Sequence, residues 1–117
     1  MFTILKDATE FDTFLQKSND QVLLVKISAP WCMPCKVIQK EIDKLQNLLV
    51  LEIDIEEIPI PDLVEKTGIT EFNVKGIPAL FIFHHGKLKK NNQDYWEIRE
   101  KFPQLSLLEQ LKEFIKI

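Results

Sequence analysis

Two cysteines stand two residues apart in the segment VKISAPWCMPCK, Val25–Lys36, with Trp31 just ahead of Cys32 and with Met33 and Pro34 between Cys32 and Cys35. Thiols at that spacing can work as a dithiol/disulfide couple, clip half of a metal site, or pack as small hydrophobes. A structural zinc needs four ligands, and the obvious nitrogen donors are His84 and His85. Adjacent residues of a strand point to opposite faces, so both could not ligate one ion without distortion. They read instead as a pair flanking a hairpin, one exposed and one partly packed. Trp31 and Pro34 bracketing the cysteines argue against plain packing, and a redox pair is the reading the residues favour. The same segment holds Lys26 inside an apolar run, where an ammonium is costly unless it is paired.

The elements around the cysteines must bring them to a usable place. Val22–Ser28, VLLVKIS, is a nearly continuous β-branched and apolar run, the pattern of a central strand covered on both faces. From Pro34 to Gln46, Ile38, Ile42 and Leu45 recur at helical spacing, and Leu48–Asp54 reads as a second buried strand. Strand, helix and strand in this order form a parallel pair with a right-handed crossover. Cys32 then falls at the carboxyl end of a parallel strand, where α/β sheets place their sites. The unpaired N–H groups and positive dipole end of the following helix favour a thiolate, the reactive form. Cys35, one helical turn on, points the same way, and Pro34 is tolerated in a first turn.

The rest of the chain supplies the flanks. Phe2–Leu5 reads as a short strand, and Asp7 to Lys17 as a helix with Asp7 and Glu10 as its capping box. Pro59 and Pro61 interrupt the chain after the second buried strand, leaving a short helix over Asp62–Thr67 that Gly68 ends, then a turn near Thr70–Asn73. Ala79–His84 is a strand, His85–Gly86 a hairpin turn, and Lys87–Lys90 a polar return at a sheet edge. Asn91–Pro103 reads as an irregular excursion carrying Tyr95, Trp96 and Phe102. Ser106, with Glu109 as partner, caps a final helix striped by Leu107, Leu108, Leu111, Phe114 and Ile115. After the N-terminal βα extension the sum is βαβαββα, an α/β fold with helices on both faces of its sheet.

With 117 residues the chain is expected to be one domain, 1–117. A net charge of −3 gives no footprint for nucleic acid or an anionic membrane, and no apolar run reaches the length of a membrane span. MFTILKDATEF lacks a basic n-region and a long apolar core, so no signal peptide is expected and the cytoplasm is the default. Two cysteines would also be a thin disulfide framework for a secreted domain.

APWCMPCK resembles the active-site segment of the thioredoxin family, usually WCGPCK, and Gly76-Ile77-Pro78 resembles that family's Gly-Ile-cis-Pro. The element order is similar over essentially the whole chain, which implies a thioredoxin fold with a mixed central sheet. The resemblance implies a protein-disulfide reductase and electron carrier. Cys32 would be the nucleophile, Cys32–Cys35 the redox-active disulfide, and Gly76, Ile77 and Pro78 a client-facing loop. Trp31, Met33 and Pro34 would support the site. No cofactor is implied. The implied partners are protein disulfides and a thioredoxin-reductase-type electron donor, and a monomer is expected. An interaction module with little redox role, a dedicated single-client reductase and a glutaredoxin-like reductase stand as alternatives.

The chain departs from the family pattern in several places. Met33 replaces the usual glycine, Lys40 stands where many members have a kinking proline, and the connection after the first helix of the site is short. Asn91–Gln104 replaces the usual glycine loop, either covering the cysteines and restricting clients or covering the sheet edge with its aromatic residues. Lys26 occupies the position of a buried aspartate, and Val50 that of its usual lysine partner. Glu52, of the same strand parity as Val50 and nearer the site, is therefore the expected partner of Lys26, in a charge-swapped pair beneath Cys35. A cation there would favour thiolate over thiol and make the couple more oxidising. The alternative is that Lys26 snorkels to solvent past a thin helix layer.

Overall fold

A computed structural model describes residues 2–117. Its sheet contains β1 (Phe2–Ile4), β2 (Val22–Ser28), β3 (Leu48–Asp54), β4 (Ala79–His84) and β5 (Lys87–Asn92), in the order β1-β3-β2-β4-β5. β3 runs parallel to both β1 and β2, while β4 is antiparallel to β2 and β5 to β4. Five helices accompany it among the described residues: α1 (Phe11–Lys17), α2 (Met33–Ile42), α3 (Ile60–Thr67), α4 (Tyr95–Lys101) and α5 (Leu107–Phe114).

Strand parity sorts the core into two layers. Leu23, Val25 and Ile27 of β2, with Leu51, Phe81 and Phe83, face Phe11 of α1, Leu63 of α3 and Phe72. Leu24 of β2, with Val50, Leu80 and Ile82, faces Ile38 of α2, Ile98 of α4 and Leu111 of α5. This two-sided burial is why β2 is apolar at nearly every position. Lys26 has the parity of Leu24, so the one charged residue of β2 is aimed at the layer that α2 covers.

Several element boundaries differ from those the residue pattern suggests. Asp7 accepts from the Thr9 N–H and hydroxyl and makes no box with Glu10. These bonds hold its carboxyl below the ordinary value and start a 3₁₀ turn, Ala8–Glu10, before α1. α2 stops at Ile42 rather than Gln46: the Lys44 and Leu45 N–H groups bond only three residues back, to Glu41 and Ile42, and Asn47 then takes a left-handed φ of 63° as the chain turns into β3. α3 begins at Ile60 with Pro61 in its first turn, and Thr70–Phe72 is a 3₁₀ turn. β5 continues to Asn92.

The largest difference is α4. Residues read as an irregular excursion form a helix, because the Asp94 carboxylate caps the Glu97 N–H at 2.9 Å. At its other end the buried Gln110 amide donates to the carbonyls of Arg99 and Phe102, and its oxygen accepts from Arg99. These bonds satisfy acceptors that the end of α4 leaves open and tie it to α5.

Candidate active site

β2 delivers the chain to its carboxyl end at Ser28, and Ala29 to Trp31 lead into α2. Cys32 is the N-cap of that helix, extended at φ −86°, ψ 108°, and its Sγ accepts the Cys35 N–H at 3.2 Å. Pro34 sits in the first turn, where a missing N–H costs nothing. Cys32 and Cys35 are joined as a disulfide with their Cα atoms 5.3 Å apart. Both are buried, packed with Ala29 against Ile55 and Ile77. Helix geometry thus puts one sulfur on a helix N-terminus and the other a turn deeper.

A second loop approaches from β4. The Ile77–Pro78 peptide is cis, Pro78 is buried, and Ile77 is the side chain that reaches the cysteines. The Gly76 N–H donates to the carbonyl of Gln93 at 3.2 Å. A Cβ on Gly76 would lie 3.3 Å from that of Asp94, so the residue type follows from close approach to the chain entering α4. The segment that replaces the family's glycine loop is therefore fastened to the loop of Gly76, Ile77 and Pro78. Its helix buries Ile98 in the α2 and α5 layer and leaves Trp96 exposed, while the cysteines' own apolar neighbours are Ala29, Ile55 and Ile77.

The outer rim is apolar. Trp31 is 66% exposed and Met33 64% exposed. Trp31 is still held, because its indole N–H donates to Glu56 Oε2 at 3.0 Å. Glu56 in turn, just past β3, is placed by its own N–H donating to the carboxylate of Asp54, the strand's last residue. His84 and His85 lie at the far end of β4, beside the start of β2 and the full length of that strand away from Cys32. They contribute nothing to the cysteine site.

Beneath the disulfide, Lys26 and Glu52 stand directly opposite on β2 and β3. Lys26 Nζ donates to Glu52 Oε1 at 2.8 Å and to Gln39 Oε1 at 2.7 Å. Lys26 does not snorkel to solvent: its side chain is 3% exposed, against 19% for Glu52. Gln39 comes from α2, one turn past Cys35, and its amide is steadied by Asp43 at 2.8 Å. A cleft of about 350 Å³ runs beside this network, lined by Lys26, Cys35, Gln39 and Glu52 and edged by Phe2 and Ile4 of β1. Residue types alone do not single out two of the partners found here, Gln39 and Glu56. The signal for Gln39 is its place four residues after Cys35 on the same helix face, while for Glu56 no short-range pattern points to Trp31.

Comparison with known proteins agrees with this geometry. The family model Thioredoxin matches residues 2–113. Over 91 residues the chain is 32% identical to Thioredoxin-2 of Saccharomyces cerevisiae, covering 74% of this chain and 80% of that protein. Over 104 residues it is 30% identical to the thioredoxin of Griffithsia pacifica, covering 85% and 84%. The solved structure of oxidised thioredoxin O2 from Arabidopsis thaliana superposes with a TM-score of 0.65 over 98% of this chain and 95% of that one, at 23% identity. With a cysteine pair at a helix N-cap, a cis X–Pro loop packed against it and a match over nearly the full length, the chain belongs to the thioredoxin family.

Proposed function

We propose that Cys32 is the attacking thiol and Cys35 the resolving thiol of a protein-disulfide reductase. Family membership and the disulfide-bonded pair make the protein a thiol–disulfide oxidoreductase. The observation that carries the assignment of roles is the N-cap position of Cys32, with its sulfur accepting the Cys35 N–H at 3.2 Å. Donors and dipole at a helix N-terminus stabilise a thiolate there, and a thiolate is the nucleophile in disulfide exchange. Cys35 sits a turn deeper and is poised to attack Cys32 rather than a client.

In the forward reaction the Cys32 thiolate attacks one sulfur of a client disulfide. A Cys32–client bond forms as the client disulfide breaks, and the electron pair leaves on the client's other sulfur, which takes a proton. Cys35 then loses its proton and attacks Cys32 Sγ. The Cys32–Cys35 bond forms, the mixed disulfide breaks, and the client departs with both sulfurs reduced. The exposed Trp31 and Met33 offer apolar contact to the client, and Pro34 restrains the first turn. Gly76, Ile77 and Pro78 form the loop against which a client segment lies.

A thioredoxin-reductase-type donor returns the pair to the dithiol in this scheme. The chain acts as a single cytoplasmic domain, a monomeric electron carrier without a bound cofactor. Support for the donor and for the carrier role comes from family membership; among the described residues no helix is long and apolar enough to cross a membrane. The test is Cys35→Ser, which stops the second step. Incubated with a disulfide-bonded protein, it should accumulate a covalent adduct that mass spectrometry maps to Cys32. No adduct, or an equal yield of adduct from Cys32→Ser through its remaining Cys35, contradicts the assignment.

A further inference from the structure

The exchange steps of Cys32 and Cys35 make no use of the buried ammonium under the cysteines. Lys26 lies almost wholly out of solvent and is held on two sides, by Glu52 from β3 and by Gln39 from α2. It shares with Cys35 the lining of a cleft that opens between α2 and the β1 edge. A charge in such a place is weakly screened and acts on nearby sulfur far more than a surface charge does. Resting on the reading of Cys32 and Cys35 as a working dithiol, we propose that Lys26, fixed by Glu52 and Gln39, is a positioning residue. It sets the redox balance of the pair and the pH at which Cys35 attacks the mixed disulfide.

Only the reduced couple and the mixed disulfide carry a thiol that can become an anion. Once Cys35 has attacked Cys32, both sulfurs are neutral and the negative charge has left on the client. An ammonium beside the cleft therefore stabilises the states before closure, favouring the dithiol over the disulfide. Glu52 does two things at once: it holds the ammonium in place and opposes it in sign. Removing the cation and removing the anion must then move the couple in opposite directions. Packing damage alone has no reason to produce that. The other charged groups lining the cleft are Lys36 of α2 and Asp54 at the end of β3, and they remain in every variant.

The experiment equilibrates wild type, Lys26→Met, Lys26→Arg and Glu52→Gln with graded glutathione buffers and counts free thiols by alkylation. Lys26→Met should lower the equilibrium constant for reduction about tenfold, equivalent to about 30 mV more reducing for a two-electron couple. Glu52→Gln should raise it, and Lys26→Arg, which keeps the charge, should stay close to wild type. Release of a client from a mixed disulfide preformed on Cys32 should shift to higher pH in Lys26→Met and to lower pH in Glu52→Gln. Equal constants in wild type and Lys26→Met, or shifts of the same sign in both variants, overturn the inference. Should Lys26→Met fail to fold, the sign of the Glu52→Gln shift decides by itself. A wild type that exchanges disulfides normally while its variants do not shift overturns this inference and leaves the proposed function standing. A wild type that exchanges none overturns both.

Discussion

The indole N–H of Trp31 donates to Glu56 Oε2 at 3.0 Å, joining the residue before Cys32 to the turn after β3. An exposed aromatic ring beside the disulfide is thereby held in one orientation by a residue from a different element. The bond spans neighbouring loops at the carboxyl ends of two parallel strands, which is where this sheet collects its functional side chains.

Glu56→Ala should therefore affect client binding more than stability. Both residues are exposed, so the folding free energy should change by no more than about 0.5 kcal/mol. Client KM should rise with kcat nearly unchanged, since a freed Trp31 must be ordered again on binding. Steady-state reduction of a protein disulfide separates the two constants, and an unchanged KM would show that the indole's orientation does not matter.

The two halves of the Lys26–Glu52 pair should differ in what their loss costs. Glu52→Ala leaves a 3% exposed ammonium with Gln39 as its remaining acceptor, a loss of about 3 kcal/mol. Lys26→Met leaves Glu52, 19% exposed at the cleft mouth, free to turn toward water, and should cost about 1 kcal/mol. Urea unfolding of the two variants measures the order, and the reverse order would contradict the burial argument.

Gln110→Ala should loosen α4. Its amide is the buried donor to the Arg99 and Phe102 carbonyls, so truncation leaves both without that partner at a cost of about 1–3 kcal/mol. Amide hydrogen exchange should quicken over 95–101 before it does over β2 and β3. Exchange over α4 unchanged from wild type would show that Ile98 packing alone holds it.

Much of this fold is legible in residue types, and where it is not the reasons are physical. The cysteine spacing and the two-faced apolar pattern of Val22–Ser28 fix a strand, a helix start and a sulfur pair with few alternatives. Pairing Lys26 with Glu52 follows from the family position that Val50 occupies, strand parity and the cost of an unpaired buried ammonium. Gln39 escapes because a polar residue on a helix is ordinarily read as solvated, and its aim at Lys26 depends on tertiary packing. α4 escapes although Asp94 and Glu97 stand at capping-box spacing, because the aromatic and charged residues between Asn91 and Gln104 show no clean apolar stripe. Ile98 is its one fully buried anchor. The true end of α2 is hidden because Leu45 keeps the helical spacing past Ile42, while Asn47 already turns the backbone.

The central claim is that Cys32 and Cys35 exchange electrons with protein disulfides, and turnover tests it most directly. A protein disulfide is incubated with excess small dithiol, wild-type protein or Cys32→Ser, and its reduction is followed in time. Catalytic reduction is expected of the wild type, with a rate for Cys32→Ser no higher than with dithiol alone. Equal rates for the two proteins would contradict it and leave a thioredoxin fold that binds partners without using its cysteines.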